Sequence, residues 1–266
     1  MASIRAPYNL GPSENCHVCR KRGGSFFCEL SKNSLEMLDR VSYVNTYPPG
    51  AVLFVEGQAP RGVYILCRGQ AKLSVVSEDG RTLIIKIAGP GEVLGLSSSV
   101  GGRPCEATVE TLSPSEVNFI KGDDFRRLLL NAPDICMRAA EQMSVQYQNA
   151  CRELRWVGLS RSADWRVASL LLVWAEERGT PGPVPGFKMT LTHEGLAQMV
   201  GTTRETVTRV IARFRKAGLI EVKGATILLS NITALRDIAG RTGTAQPESR
   251  GPAPVTRVAS LRPMYV

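Results

Sequence analysis

The sequence predicts an α+β protein: an N-terminal antiparallel β-roll, one long helix, and a C-terminal helical unit that carries a β-wing. Three observations lead to this prediction. Short β-branched runs separated by turn residues fill residues 43–121, a heptad of small and apolar residues fills residues 134–157, and two short helical patterns around a glycine turn fill residues 192–216. Because the strands come first and the helices later, the order favours separate domains over a parallel sheet with alternating helices.

We divide the chain of 266 residues where these patterns change. The segments are a Cys-containing N-terminal segment (1–29), the β-roll (30–133), the long helix (134–158), the helix-turn-helix with its wing (159–240) and a basic tail (241–266). The tail combines four prolines with few large apolar side chains, so we expect it to be disordered.

The β-roll is predicted by short runs of strand-forming residues such as 52–55, 62–66 and 72–76. Turn-forming residues separate the runs, and residues 77–80, which read Ser-Glu-Asp-Gly, predict a hairpin turn. Because no helical pattern lies between these strands, we expect a small antiparallel barrel or roll.

The long helix carries a stripe of small and apolar residues at alternating steps of four and three, beginning at Cys136. Such heptad spacing over more than three turns is typical of a helix that pairs with another helix. We therefore predict a two-fold homodimer, and the alternative is a helix that packs only on its own roll. The predicted dimer interface consists of Ala140, Met143, Tyr147, Ala150, Leu154 and Val157.

Two short helices joined by a turn follow the long helix. Thr192 and Thr203 can cap the starts of these helices, and Gly201 lies in the turn between them. The second helix has an apolar face that can anchor it to the domain and a polar face opposite. Residues 219–222 and 226–229 then predict a two-stranded wing, and residues 187–191, before the first of the two helices, predict a short strand.

Positive charge is concentrated on this second helix and the wing. The chain has a net charge of +9, and residues 203–223 hold six basic side chains against two acidic ones. Such a patch is typical of a protein that contacts a polyanion, and a solvated helix face is the alternative. We assign contacts with DNA phosphates to Thr192, Thr203, Arg213, Arg215, Lys216 and Lys223.

The start of the second helix carries side chains that can recognise base edges. An arginine can donate two hydrogen bonds to guanine, and a carboxylate can accept one from cytosine. Phosphate would repel Glu205, so a base edge is its more plausible partner, while the alternative is an exposed salt bridge to Arg209. The predicted base-reading residues are Arg204, Glu205, Thr208 and Arg209.

Residues 191–209 closely resemble the DNA-binding motif of the Crp/Fnr family of bacterial transcription regulators. Residues 50–57, 62–69 and 91–95 resemble the cyclic-nucleotide-binding-type (cNMP-binding-like) sensor roll of the same family. The resemblance covers about residues 30–235 and implies a sensor domain, a dimerisation helix and a winged helix-turn-helix. It also implies double-stranded DNA with an inverted repeat of TGA-like half-sites as the partner, together with RNA polymerase.

The family pattern also gives each base-reading residue a role. Glu205 and Arg209 match the main base-reading positions. Arg204 matches an extra arginine of the cyclic-AMP receptor type, and Thr208 matches a small hydroxyl position of the Fnr type.

The resemblance raises cyclic AMP as a ligand, and the residues argue against it. The family binds the cyclic phosphate through an Arg-Ser pair and the ribose through a Glu, and these positions fall on Cys105-Glu106 and Leu96 here. A buried carboxylate would repel the phosphate, and Leu96 cannot accept a hydrogen bond. Arg103 could substitute only if its loop shifted by two residues. A cyclic-nucleotide-responsive regulator remains the alternative.

Three cysteines near the N-terminus suggest another signal. Cys16, Cys19 and Cys28 lie where Fnr-type oxygen sensors carry three iron–sulfur ligands, and with Cys105 they could hold an iron–sulfur cluster (4Fe–4S) or zinc. The gap before Cys28 is longer than in the Fnr pattern, and Ser115 occupies the position of the usual fourth Cys. The signal would then be redox, oxygen or nitric oxide. The alternative is that these thiols bind nothing or form a reversible disulfide.

The composition of the chain argues against several classes of protein. No apolar stretch approaches the roughly 18–20 residues of a membrane span, and no secretion signal is recognisable. Seven irregularly spaced cysteines favour a reducing cytoplasm, and two histidines without a catalytic arrangement argue against an enzyme. The sequence therefore predicts a cytoplasmic transcription regulator, and a metal- or redox-binding protein that docks other partners is the alternative from another class.

Overall fold

A computed structural model describes residues 27–158, 162–179 and 184–240 of this chain. It confirms the predicted α+β class, with antiparallel sheets in the N-terminal part and helices with a small sheet in the C-terminal part. Cys16, Cys19 and the predicted tail lie outside the described residues, as do the side chains of Leu154 and Val157.

The roll is built from strands whose lengths follow the short β-branched runs of the sequence. They are β1 (Ser42–Tyr47), β2 (Val52–Phe54), β3 (Gly62–Arg68), β4 (Ala71–Val76), β5 (Thr82–Ala88), β6 (Val93–Leu94), β7 (Thr108–Thr111) and β8 (Ser115–Lys121). One sheet has the order β1-β8-β3-β6, the other has the order β2-β7-β4-β5, and the pairs are antiparallel. The predicted hairpin turn joins β4 to β5.

Glycine permits a close approach where β3 leaves its sheet. Gly69 has a φ of +88°, and a Cβ atom there would lie 2.2 Å from the Oγ of Ser115 at the start of β8. A larger residue would strain the backbone and push β8 away, so this glycine of the family-like segment 62–69 serves the roll itself.

Four helices cover the roll: α1 (Lys32–Val41), α2 (Leu96–Gly101), α3 (Gly122–Asn131) and α4 (Pro133–Gly158). Leu35 and Leu38 of α1 pack with Phe125 of α3 and Ile135 of α4 in one buried cluster. The carboxylate of Asp134 accepts hydrogen bonds from the hydroxyl of Ser34 and the backbone N–H of Ser31, which tie the start of α4 to the start of α1.

The long helix α4 has two different faces. Ile135, Ala139 and Gln142 are buried against the roll. The amide of Gln142 donates to the carbonyl of Val93 at 2.7 Å and accepts from its N–H at 3.0 Å. The predicted heptad stripe lies about a quarter turn around the helix from this buried face, and its described side chains are exposed in the single chain: Cys136, Ala140, Met143, Tyr147 and Ala150.

The C-terminal part contains α5 (Ala163–Arg178), β9 (Gly186–Lys188), α6 (His193–Val200), α7 (Arg204–Lys216), β10 (Glu221–Lys223), β11 (Thr226–Leu228) and α8 (Ile232–Ile238). Its sheet has the order β10-β11-β9, in which β10 and β11 are the predicted two-stranded wing and the predicted short strand near residue 187 is added as β9. The third strand, β9, joins because fully buried Phe187 pairs with Ile227 of β11.

One apolar cluster connects the roll to the C-terminal domain. It contains Val207, Val210 and Phe214 of α7 and also Ile84 and Ile87 of β5, all of them buried. Helix α6 of the C-terminal domain contacts β5. None of the helices in the described ranges is both long and apolar enough to cross a bilayer.

Candidate nucleic-acid interface

Helices α6 and α7 form the helix-turn-helix, and local signals set their ends. The hydroxyl of Thr192 accepts from the backbone N–H of Gly195 at 3.2 Å, and that of Thr203 accepts from the N–H of Thr206 at 3.3 Å. Gly201 ends α6 with a φ of +62° in the left-handed region. Both threonines are therefore N-caps, as predicted, and their hydroxyls lie at the two helix starts where an anion is favoured.

Helix α7 presents a polar face because its apolar face is fixed in the core. Val207, Val210, Ile211 and Phe214 are buried, at the spacing that the sequence predicts. The other side of its first turns is open to solvent. We call this surface the recognition face, and it consists of the exposed residues Arg204, Glu205, Thr208 and Arg209.

Glu205 is an ionised hydrogen-bond acceptor at neutral pH. Its pKa is lowered, first by the hydrogen bond from its own backbone N–H, then by the hydroxyl of Thr203 and the charges of Arg204 and Arg209. The ion pairs among the described residues do not include one between Glu205 and Arg209; instead the guanidinium of Arg209 donates to the hydroxyl of Thr206 at 3.4 Å. This argues against the simple salt bridge as the role of these two side chains.

A histidine that the sequence analysis did not assign to the site lies beside the recognition face. Nδ1 of His193, the first residue of α6, is 3.0 Å from the hydroxyl oxygen of Thr208 on α7. The two residues are 15 positions apart, and the helical periodicity of either helix alone does not predict their contact. The turn between α6 and α7 brings them together.

The predicted phosphate-binding residues at the C-terminal end of the site are exposed: Arg213, Arg215, Lys216 and Lys223. Two of them have acidic neighbours. Arg213 pairs with Asp164 of α5, and Lys223 pairs with Glu221 at 3.2 Å along the same wing strand, β10. Exposed pairs of this kind contribute little and can be exchanged for phosphate contacts. Arg215 and Lys216 lie in the last turn of α7.

In the roll, the residues at the positions where the family binds a cyclic nucleotide make their contacts within the protein. Leu96 is buried, but Glu106 is exposed, so the expectation of a buried carboxylate is wrong. Glu106 lies at the edge of the roll, where it accepts hydrogen bonds from the hydroxyls of Ser97, at 2.9 Å, and Ser98. Its charge therefore occupies the start of α2.

Backbone hydrogen bonds fix the register of this loop. The N–H of Cys105 donates to the carbonyl of Gln58, and the carbonyl of Cys105 accepts from the N–H of Gly57, both at 2.8 Å. A shift of two residues, which would bring exposed Arg103 to the position of Cys105, would break both bonds.

The cysteines proposed as metal ligands are placed only in part. The buried thiol of Cys105 lies in the apolar cluster of the roll, and burial raises its pKa, followed by the charge of Glu106. Cys28 follows Phe27, which belongs to the separate cluster beneath α1. Within the described ranges, no three His, Cys, Asp or Glu side chains are arranged to hold a metal ion. Cys16 and Cys19 are outside these ranges.

Two family models match the chain. A cyclic nucleotide-binding domain matches residues 44–132, and a Crp-like helix-turn-helix domain matches residues 166–238. The first covers most of the roll, and the second contains α6, α7 and the wing. Together they span more than half of the chain.

Curated proteins and solved structures resemble the chain in the same way. The cAMP-activated global transcriptional regulator CRP of Pasteurella multocida is 28% identical over 188 residues, which are 70% of this chain and 90% of that protein. FixK2 from Bradyrhizobium japonicum shares the fold with a TM-score of 0.67 at 20% identity, over 77% of this chain and 100% of that chain. The c-di-GMP-responsive global regulator CLP of Xanthomonas campestris matches with a TM-score of 0.66 at 21% identity, over 75% of this chain and 99% of that chain.

Proposed function

Because this chain belongs to the Crp/Fnr family of DNA-binding transcription regulators, we propose that it binds an inverted repeat in double-stranded DNA as a homodimer. The observation that supports this most is the recognition face, in which four polar side chains are exposed on a helix whose other face is buried. Each half-site of the inverted repeat contains a TGA-like core, and the bound dimer contacts RNA polymerase.

The chemistry of the recognition face fits a guanine–cytosine pair. The guanidinium of Arg209 can donate to O6 and N7 of guanine, and the carboxylate of Glu205 can accept from N4 of the cytosine. They are four residues apart on one helix face, so they can reach neighbouring base edges in the major groove. The low pKa of Glu205 keeps the carboxylate an acceptor at neutral pH.

The exposed stripe of α4 supports the dimer. A neighbouring face of α4 packs on the roll and leaves the stripe uncovered in the single chain, so the stripe can pair with a second copy of the same helix. A two-fold pair places two recognition faces on one assembly, which matches an inverted repeat.

Selection of binding sites from a random pool of duplex DNA tests the proposal. The wild-type chain is expected to select an inverted repeat, and Arg209→Ala is expected to weaken binding to that site at least tenfold and to relax the preference at one base pair. Arg40→Ala is the matched control, because it removes the same charge from an exposed position on α1. Selection of no common sequence, or equal effects of the two substitutions, would contradict the proposal.

We also propose that the ligand is not cyclic AMP. Support comes from the carboxylate of Glu106, which lies at the start of α2, and from the backbone hydrogen bonds of Cys105, which fix the register of this loop. With the loop in this register, no arginine lies at the phosphate position. Calorimetric titration with cyclic AMP should give no saturable heat. The cAMP-activated CRP of Pasteurella multocida is the positive control. Binding near one molecule per chain would contradict this proposal.

The signal that we propose is redox, received by Cys16, Cys19 and Cys28. Cys105 does not fit as a fourth ligand, because its thiol is buried in an apolar cluster and its raised pKa disfavours the thiolate. An iron–sulfur cluster or zinc would supply the redox or ligand chemistry when bound to the N-terminal cysteines.

Anaerobic purification, followed by a visible absorption spectrum and iron and zinc analysis, tests the signal. We expect bound metal, and substitution of the three N-terminal cysteines by serine should abolish it, whereas Cys136→Ser should not. A colourless, metal-free protein whose DNA binding does not respond to oxidation would contradict a redox signal at these cysteines.

A further inference from the structure

The hydroxyl of Thr208 is already used within the protein. Its oxygen lies 2.9 Å from the backbone carbonyl oxygen of Arg204 and 3.0 Å from Nδ1 of His193. Two oxygens at 2.9 Å need a proton between them, and a carbonyl has none to give. The hydroxyl therefore donates to Arg204, and its oxygen accepts from the Nδ1–H of His193.

These two bonds fix the orientation of the Thr208 side chain. One partner is the preceding turn of α7, and the other is a half-buried side chain of α6, so the hydroxyl is turned towards the protein. The residue itself is exposed, and because its hydroxyl is engaged within the protein, its methyl group is the part of the side chain available for an outside contact. A threonine methyl can make an apolar contact with the 5-methyl group of thymine in the major groove.

We infer that Thr208 recognises a thymine of the half-site through its methyl group and that His193 is the positioning residue that keeps the hydroxyl turned away from the DNA. This inference rests on the proposed function, since it assumes that the recognition face enters the major groove. It assigns to Thr208 a preference for a base methyl rather than for a hydrogen-bonding group, and it adds His193 to the residues that determine specificity.

Deoxyuridine substitution tests the contact, because it removes only the 5-methyl group. Each thymine of the selected half-site is replaced in turn, and the affinity ratio between thymine and deoxyuridine is measured. For wild-type protein, we expect one position at which the ratio is about two- to fourfold, the effect of one apolar group. Thr208→Val keeps a methyl and should keep the ratio, whereas Thr208→Ser keeps only the hydroxyl and should bring it to one.

Variants of His193 test its positioning role. The side-chain amide of asparagine can place a donor near the position of Nδ1, whereas that of glutamine places it farther out. His193→Asn should therefore preserve the thymine-to-deoxyuridine ratio, while His193→Gln and His193→Ala should reduce it towards one. Thermal unfolding of each variant shows that the fold is retained.

Each outcome separates this inference from the proposed function. A chain that selects an inverted repeat, but whose affinity responds to no thymine methyl, overturns the inference alone. So does a selected half-site without thymine, or a Thr208→Ser variant that keeps the wild-type ratio. Equal ratios for His193→Ala and wild type overturn the role of His193. A chain that selects no sequence contradicts the proposed function and the inference with it.

Discussion

Glu205 is an acidic side chain in the most basic stretch of the chain, and its surroundings explain how it stays there. Hydrogen bonds from its own N–H and from Thr203, together with two neighbouring arginines, favour the ionised form and lower its pKa. A carboxylate at the N-terminal end of α7 is also favoured by the helix dipole. The same features that stabilise the charge keep it available to accept from a base.

At the residue scale, Asp134 stabilises the junction between α1 and α4. Burial alone would raise its pKa, but hydrogen bonds from Ser34 and Ser31 outweigh this effect and lower it. Asp134→Asn should reduce the free energy of unfolding at neutral pH by about 1 kcal/mol. A group with a lowered folded pKa contributes stability above its unfolded pKa of about 3.9 and loses it as pH falls through the folded value.

Urea unfolding at several pH values measures this contribution. The difference between wild type and Asp134→Asn should be full at pH 6 to 7 and should shrink below about pH 4. A difference that is constant across this range would contradict the role of the ionised carboxylate.

Residue-level features were predictable where their cause is local. The caps at Thr192 and Thr203 and the turn at Gly201 depend on neighbours within a few positions, and the structure confirms them. The contact between His193 and Thr208 depends on how two helices meet across a turn. Helical periodicity alone could not predict it.

At the element scale, α4 has one face packed on its own roll and a separate exposed stripe, so packing on the roll does not use the residues predicted to pair with a second copy. The buried side fixes the helix to its own roll through Ile135, Ala139 and Gln142. The heptad stripe remains exposed, with Met143 at 38% and Tyr147 at 72%. Heptad spacing predicted the exposed side. The buried side could not be predicted from hydropathy, because it includes the polar residue Gln142, which is buried through its hydrogen bonds to the backbone of Val93.

Charge on the stripe should separate the copies. We expect Met143→Glu with Tyr147→Glu to give a monomer, because four like charges would meet in the helix pair without partners. Gln148→Glu is the control, since this exposed residue lies off the stripe. Sedimentation equilibrium measures the mass, and a double variant that remains as dimeric as the control would contradict the proposed interface.

The wing shows why small sheets are hard to predict from a pattern. The run at residues 187–191 predicted a short strand, and the structure confines it to residues 186–188 as the edge of a three-stranded sheet. This strand belongs to the sheet because Phe187 packs in the core beside Trp174, and the centroids of the two rings are 5.6 Å apart. That contact joins β9 to α5, and the residue pattern of neither element alone predicts it.

At the scale of the whole molecule, one cluster joins the sensor roll to the DNA-binding domain. Ile84 and Ile87 of β5 are buried with residues of α5, α6 and α7. The position of the recognition face therefore depends on the roll as well as on its own domain. A rearrangement of β5 would therefore be felt directly at the helix-turn-helix.

Breaking this contact should loosen α6. Ile87→Asp places a charge in the shared cluster, and we expect faster hydrogen exchange at the backbone amides of α6 and a lower free energy of unfolding by about 2 to 4 kcal/mol. Val76→Asp, on an exposed position of β4, is the control. Unchanged exchange in α6 would contradict the coupling.

The central claim is that two recognition faces on one dimer read the two half-sites of an inverted repeat. The affinity of wild-type protein for its selected site, compared with the same duplex after insertion of five base pairs between the half-sites, tests this claim most directly. Five base pairs are about half a helical turn, so the second half-site rotates to the far side of the duplex. We predict a loss of affinity of about a hundredfold or more, and equal affinity for the two duplexes would contradict the claim.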